Sequence, residues 1–274
     1  MESEFIKENF QQFPFTMEIE KSLKHFESGY HAVSIIEGIT SNFIGNSEIK
    51  FLTIEQFKRV EKGMIILCYS MLCNYYPPFI TIPNERRLKF LQWFSKQFCF
   101  IHTCEMTTKF TDPKSSYVVV IPGGIVDTNN FDIFTDNSNS EEKKQFSKSF
   151  CVLHMDFLNK NYRPLNINRL EFASLIGLLF WNSVERILSD FVEENIYTFK
   201  RDQFYFELFE IINTKNNNYS TLSSIRFGRL LDLLNSIALF SWEAGEVFQI
   251  AKIFMDLPDT WDEIKLTNNI NTKI

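Results

Sequence analysis

The residues of this chain best suited to chemistry are four histidines, five cysteines and the acidic pairs Glu141-Glu142 and Glu193-Glu194. A zinc or non-haem iron site needs several of them at ligand spacing. His25, His31, His102 and His154 are scattered along the chain and read as isolated residues, not as a ligand set. Cys68, Cys73, Cys99, Cys104 and Cys151 are odd in number and form no C-x-x-C pair, so neither structural zinc nor a disulfide framework is expected. They read as reduced thiols used as small core hydrophobes. The sequence has no G-x-S-x-G elbow, P-loop, H-E-x-x-H or D-D-x-x-D motif. Gly123-Gly124 fits a hairpin turn, and Glu141-Glu142 and Glu193-Glu194 lie in polar stretches as solvated faces. We therefore expect no enzyme, no metal and no cofactor.

One charge is conspicuous. Glu171 sits inside the apolar segment INRLEFASLIGLLFW, where an unpaired carboxylate would cost several kcal/mol. It requires a cation, and Arg226 or Arg229 at the start of the last long helical segment can supply one. A structural ion pair of Glu171 with Arg226 is the expectation.

The elements that must hold these residues are helical. Thirty phenylalanines stand against nine glycines and eight prolines, which gives bulky apolar mass and little turn chemistry. Hydrophobic residues make up 45% and charged residues 23%, the balance of a folded domain and not of a disordered chain. The net charge of −6 argues against binding nucleic acid through a basic surface. MESEFIKENF has no apolar core and is not a secretory signal, and the apolar run from Phe172 to Val184 is too short for a bilayer, so a soluble intracellular protein is expected.

Helical spacing covers 17–38 and, more clearly, 54–76, where Thr53 and Gln56 can cap each other and Pro77-Pro78 ends the helix. A helix after Pro83 is apolar over most of its circumference, which implies burial on more than one side. Tyr117–Ile121, Pro122-Gly123-Gly124 and Ile125-Val126 form a small hairpin. Helices follow at about 142–160 and 167–181, then one or two over 183–212. The loop 213–224 ends in serines that can cap a long helix from Ile225 to about Met255, with a bend near Gly245.

Two segments carry a family likeness. YPPFITIPNERRLKFL (76–91) resembles the signature that joins the third to fifth helices of nuclear hormone receptor ligand-binding domains, with Pro77, Phe79, Ile82, Phe90 and Leu91 in the expected places. RFGRLLDLLNSI (226–237) is similar to the family's tenth helix, and LEFASLIGLLFWN (170–182) to its eighth. The style matches the expanded nematode branch. The chain departs from the pattern at the coactivator clamp, where Asn74 stands in place of lysine and Arg86-Arg87 in place of Asp-Gln. The eight cysteines of the zinc-finger DNA-binding module are missing from it too. The initial methionine favours a naturally finger-less receptor over a fragment.

The resemblance implies an all-α fold: a three-layer antiparallel helical sandwich of about ten to twelve helices with one small β-hairpin. It divides the chain into an extension with a first helix (1–50), the ligand-binding domain (51–266) and a polar tail (267–274). It implies nuclear localisation, with the cytoplasm as a second compartment, and a lipophilic small molecule lined by Met64, Cys68, Met71, Phe94, Phe98, His102, Cys151 and Phe240. It also implies a coregulator helix held by Asn74, Arg87, Trp261 and Glu263, and a homo- or heterodimer along Arg226, Leu230, Leu233 and Leu234. Neither membrane nor direct nucleic-acid contact is implied. The alternative is an orphan dimerisation and interaction module whose pocket is filled by its own aromatic side chains.

Overall fold

In the computed structural model, residues 12–40, 49–130, 141–216 and 221–255 are described. Among them are seven α-helices and a small sheet, in accord with an all-α fold. The first helix, α1 (Pro14–Ile36), carries proline in its first turn but no side-chain cap of its own. Its free N–H groups are taken by a carboxylate 191 residues away: Glu207 accepts from the backbone of Phe15 and Thr16 at 3.0 and 2.7 Å. Ile19, Leu23, Phe26 and Tyr30 form its buried stripe, so α1 packs into the same core as the helices that follow it.

Thr53 and Gln56 form the reciprocal cap of α2 (Ile54–Tyr75), which ends where Pro77 opens a short 3-10 turn. Next, α3 (Asn84–Phe110) buries residues all round its axis, as its sequence pattern demands. The hairpin, β2 (Tyr117–Ile121) and β3 (Gly124–Asp127), gains a third strand in the structure. Strand β1 (Lys50–Phe51) pairs parallel to β3, giving the order β1-β3-β2. Two residues are too few to leave a strand signal in sequence, and the pairing comes from Lys50 and Leu52 donating to Gly123 and Ile125. The far edge of β2 is closed by Thr107 of α3, whose hydroxyl accepts from Val119 N–H at 3.0 Å.

After α4 (Glu141–Phe157), one π turn and one 3-10 turn lead to α5 (Arg169–Leu188), capped by Asn168. The stretch that spacing alone allows as one helix or two is broken at 189–193, and α6 (Glu194–Asn216) is separate from α5. Gly177 lets the two helices touch: a Cβ there would lie 2.2–2.6 Å from the buried Phe204 ring. The last helix, α7 (Thr221–Met255), starts before the serines expected to cap it. Ser223 is instead a fully buried helical residue. Together α3 and α5 run through the interior, with α1 and α2 on one side and α4, α6 and α7 around the rest.

Candidate functional site

The long interior helix α3 divides the expected ligand-lining residues between two places. Phe94, Phe98 and His102 recur every four residues and share one face. There the Phe98 ring meets Phe26 of α1 edge-on at 4.8 Å, and Phe94 meets Phe180 of α5 at 5.9 Å. His102 lies against Phe26, Tyr30 and Phe98 at 5.2–5.8 Å. Met64 and Cys68 of α2 join this group through Tyr30, whose hydroxyl donates to the Met64 sulfur at 3.1 Å and also bonds Val120 O. Burial pushes the Cys68 thiol well above its usual range, helped by the neighbouring Cys99 thiol. Met71 and Phe94 border a cavity of about 10 Å³ with Ile19, Leu72, Ile176 and Phe180, room for a single water.

Cys151 and Phe240 are elsewhere. Phe100 and Cys104 project from the opposite side of α3 towards α4 and α7. Phe240 stacks on Phe100 at 4.3 Å, Phe157 meets them at 4.8 and 5.4 Å, and His154 closes the group edge-on to Phe100 at 4.8 Å. The polar contact in this group, His154 Nε2 with the Cys104 sulfur at 3.8 Å, is a weak one. Phe100, Phe157 and His154 are functional candidates that the sequence reading misses. The burial of α3 on more than one side is the signal that could have found Phe100, and no local pattern marks the other two.

The two histidines differ in setting. Both ring nitrogens of His102 are buried without a hydrogen-bond partner, and a carboxylate oxygen of Glu27 is 4.0 Å away. That carboxylate is occupied by Arg169, which also pairs with Glu20 at 2.6 Å. Desolvation, with smaller repulsion from Arg169 and Lys109, depresses the His102 imidazole to about 3. Desolvation alone brings His154 to about 4. Both rings are therefore neutral near pH 7.

Glu171 and Arg226 meet at the base of α5. Arg226 donates from Nε and Nη2 to the two carboxylate oxygens at 2.6 and 2.7 Å, and from Nη1 to Leu165 O. Glu171 also accepts from Asn168 N–H at 2.9 Å, completing a capping box that N-x-x-E at 168–171 encodes and that a reading for buried charge alone passes over. The leucine ladder of α7 faces inward: Leu230, Leu233 and Leu234 are buried within the domain and cannot meet a second chain as expected. Leu222, Ile225, Leu239 and Trp242 are exposed apolar residues of this helix. Asn74 is exposed near the end of α2, whereas Arg87 is buried in the first turns of α3. Trp261 and Glu263 lie outside the described residues.

A helical domain with an interior α3, a small sheet beside it and a C-terminal α7 is the architecture of a receptor ligand-binding domain. The family model for the ligand-binding domain of nuclear hormone receptors matches residues 45–254, and the chain belongs to that family. No curated protein matches the chain. Among the described residues no helix is long and apolar enough to cross a membrane.

Proposed function

We propose that this chain is a non-enzymatic receptor-type domain that works without a ligand, regulating transcription in the nucleus by docking other proteins. The observation that carries this reading is the ring group Phe100, His154, Phe157 and Phe240, with centroids 4.3–5.4 Å apart between α3, α4 and α7. Lipophilic ligands need pockets of roughly 300–1,000 Å³, and ring packing this close between α3, α4 and α7 supports an interior filled by the domain's own side chains. The partners proposed are a coregulator helix at the junction of α2 and α3 and a related receptor along the exposed positions of α7. DNA contact is left to such a partner.

A second reading, a lipophilic ligand, is favoured by the half-buried state of Cys151 and Phe240. A ring with one edge towards solvent can swing out, and the neutral His154 beside Cys104 offers a polar anchor for a ligand hydroxyl or carbonyl. Native mass spectrometry of the purified protein, followed by denaturing extraction, separates the two. A clean apo mass supports the ligand-independent domain. A stoichiometric lipid that raises the melting temperature on adding back overturns it, since a ligand bound only to the native state must stabilise it.

A further inference from the structure

Arg87 is 8% exposed, and no carboxylate of the described residues forms an ion pair with it. Nη1 donates to the Tyr69 hydroxyl at 2.9 Å and Nη2 reaches Asn84 Oδ1 at 3.5 Å, while Nε is buried with no acceptor. A guanidinium is charged at any physiological pH, and a buried charge is costly unless an opposite charge or a full set of acceptors meets it. Phenol and amide oxygens are neutral and leave that need unmet. Two other arginines that reach into the interior are paired: Arg169 with Glu20 and Glu27, Arg226 with Glu171. Arg87 lacks such a carboxylate, and it sits beside a surface.

That surface is apolar. On α2, Ile66, Tyr69 and Cys73 share one face by helical spacing, with Ile66 56% exposed and the other two half-buried. Ile80 of the following 3-10 turn is 45% exposed. Phe79 anchors that turn beneath, with its ring 6.1 Å from Tyr69 and 5.4 Å from Phe90. Asn74, at the rim, carries no charge to hold the carbonyl end of a bound helix.

We propose that Arg87 is the recognition residue of this surface and that its occupant is an amphipathic helix of another protein bearing an aspartate or glutamate that reaches the guanidinium. The assignment rests on the reading that this junction docks coregulator helices, and adds which chemistry they carry. Apolar anchors one turn apart would lie across Ile66 and Ile80, and the acidic side chain would enter beside Tyr69. A charge-assisted, bidentate bond to a desolvated guanidinium discriminates strongly against the isosteric amide.

The test uses the full chain and fluorescein-labelled helical peptides with leucines at i, i+3 and i+4 and Glu, Gln or Lys at the adjoining polar positions. Anisotropy should show the Glu peptide binding about tenfold more tightly than its Gln counterpart and the Lys peptide weakest. In Arg87→Gln the Glu and Gln peptides should bind alike. Tyr69→Phe, which leaves the cation in place, should keep the Glu preference and serves if Arg87→Gln folds poorly. Binding of all three peptides with equal affinity overturns the inference but leaves the docking surface standing. A Glu preference that survives Arg87→Gln in a folded protein overturns the assignment to Arg87. If no peptide binds, the docking reading itself fails. If binding appears only in the double variant Asp262→Asn, Glu263→Gln, the occupant is this chain's own C-terminal segment and not a partner.

Discussion

The two faces of α3 pack equally aromatic side chains to different ends. On the side of α1 and α5, Phe94, Phe98 and His102 are fully enclosed, and polar clasps hold the neighbouring helices: Glu207 on the start of α1, Arg169 between α1 and α5, Glu171 between α5 and α7. On the side of α4 and α7, Phe240 is only partly buried and the polar contact is the loose His154–Cys104 pair. The first face is a frame. The second is a packed ring group with one partly exposed member, Phe240, and it is where the proposed self-filled interior is put to the test.

The largest expected effect tests the frame. Glu171→Leu leaves the Arg226 guanidinium without its counter-ion and removes the reciprocal half of the α5 capping box, so urea denaturation should show a loss of about 3–5 kcal/mol. A loss under about 1 kcal/mol would mean the clasp does little to hold α7 on α5. Next come the rings. Phe98→Ala should cost about 3–5 kcal/mol, as for a fully buried phenylalanine, and leave a void closed to solvent. Phe240→Ala should cost less and open the second face, so only this variant should gain fluorescence with an apolar dye. Equal behaviour of the two would erase the distinction between the faces.

Acid should weaken both faces. The folded imidazoles lie at about 3 for His102 and about 4 for His154, below the ordinary 6.5, so the unfolded chain takes up protons first as pH falls. Each histidine is neutral and without penalty above about pH 6.5, and each should cost about 3 kcal/mol by about pH 4. Below that the His154 loss levels off while the His102 loss continues to about 3. Denaturation midpoints of His102→Phe and His154→Phe across roughly pH 4–7 should be flatter than wild type. A wild-type slope that neither substitution reduces would contradict the burial of both rings. The smallest effect is expected at Gly177→Ala, about 1–3 kcal/mol from the Cβ pressing on Phe204, read from the melting temperature.

Much of the frame is legible in sequence because it depends on local rules. Thr53 and Gln56 spell a capping box, Pro77 stops α2, and an apolar run around Glu171 demands a cation, which Arg226 provides. The candidate site is legible only in part. An α-helix apolar all round announces that it is buried but not which element meets which face, and the pocket implied by the family resemblance groups Phe94 and Phe240 although α3 lies between them. The leucine ladder of α7 poses the same problem, since Leu230 and Leu234 serve a core and a dimer seam equally well by spacing. Arg87 carries no sequence signal of burial, because only the tertiary position of Tyr69 and Asn84 encloses it.

The most direct test of the filled interior is thermal unfolding of wild type and Phe240→Ala side by side, each with and without a saturating panel of long-chain fatty acids and sterols. A ligand at about one hundred times its dissociation constant stabilises its host by about 2.7 kcal/mol, a shift of several degrees. The wild-type melting temperature should stay fixed while that of Phe240→Ala rises. A rise of several degrees in wild type would show that the rings yield to a ligand and that the domain is a receptor in the full sense.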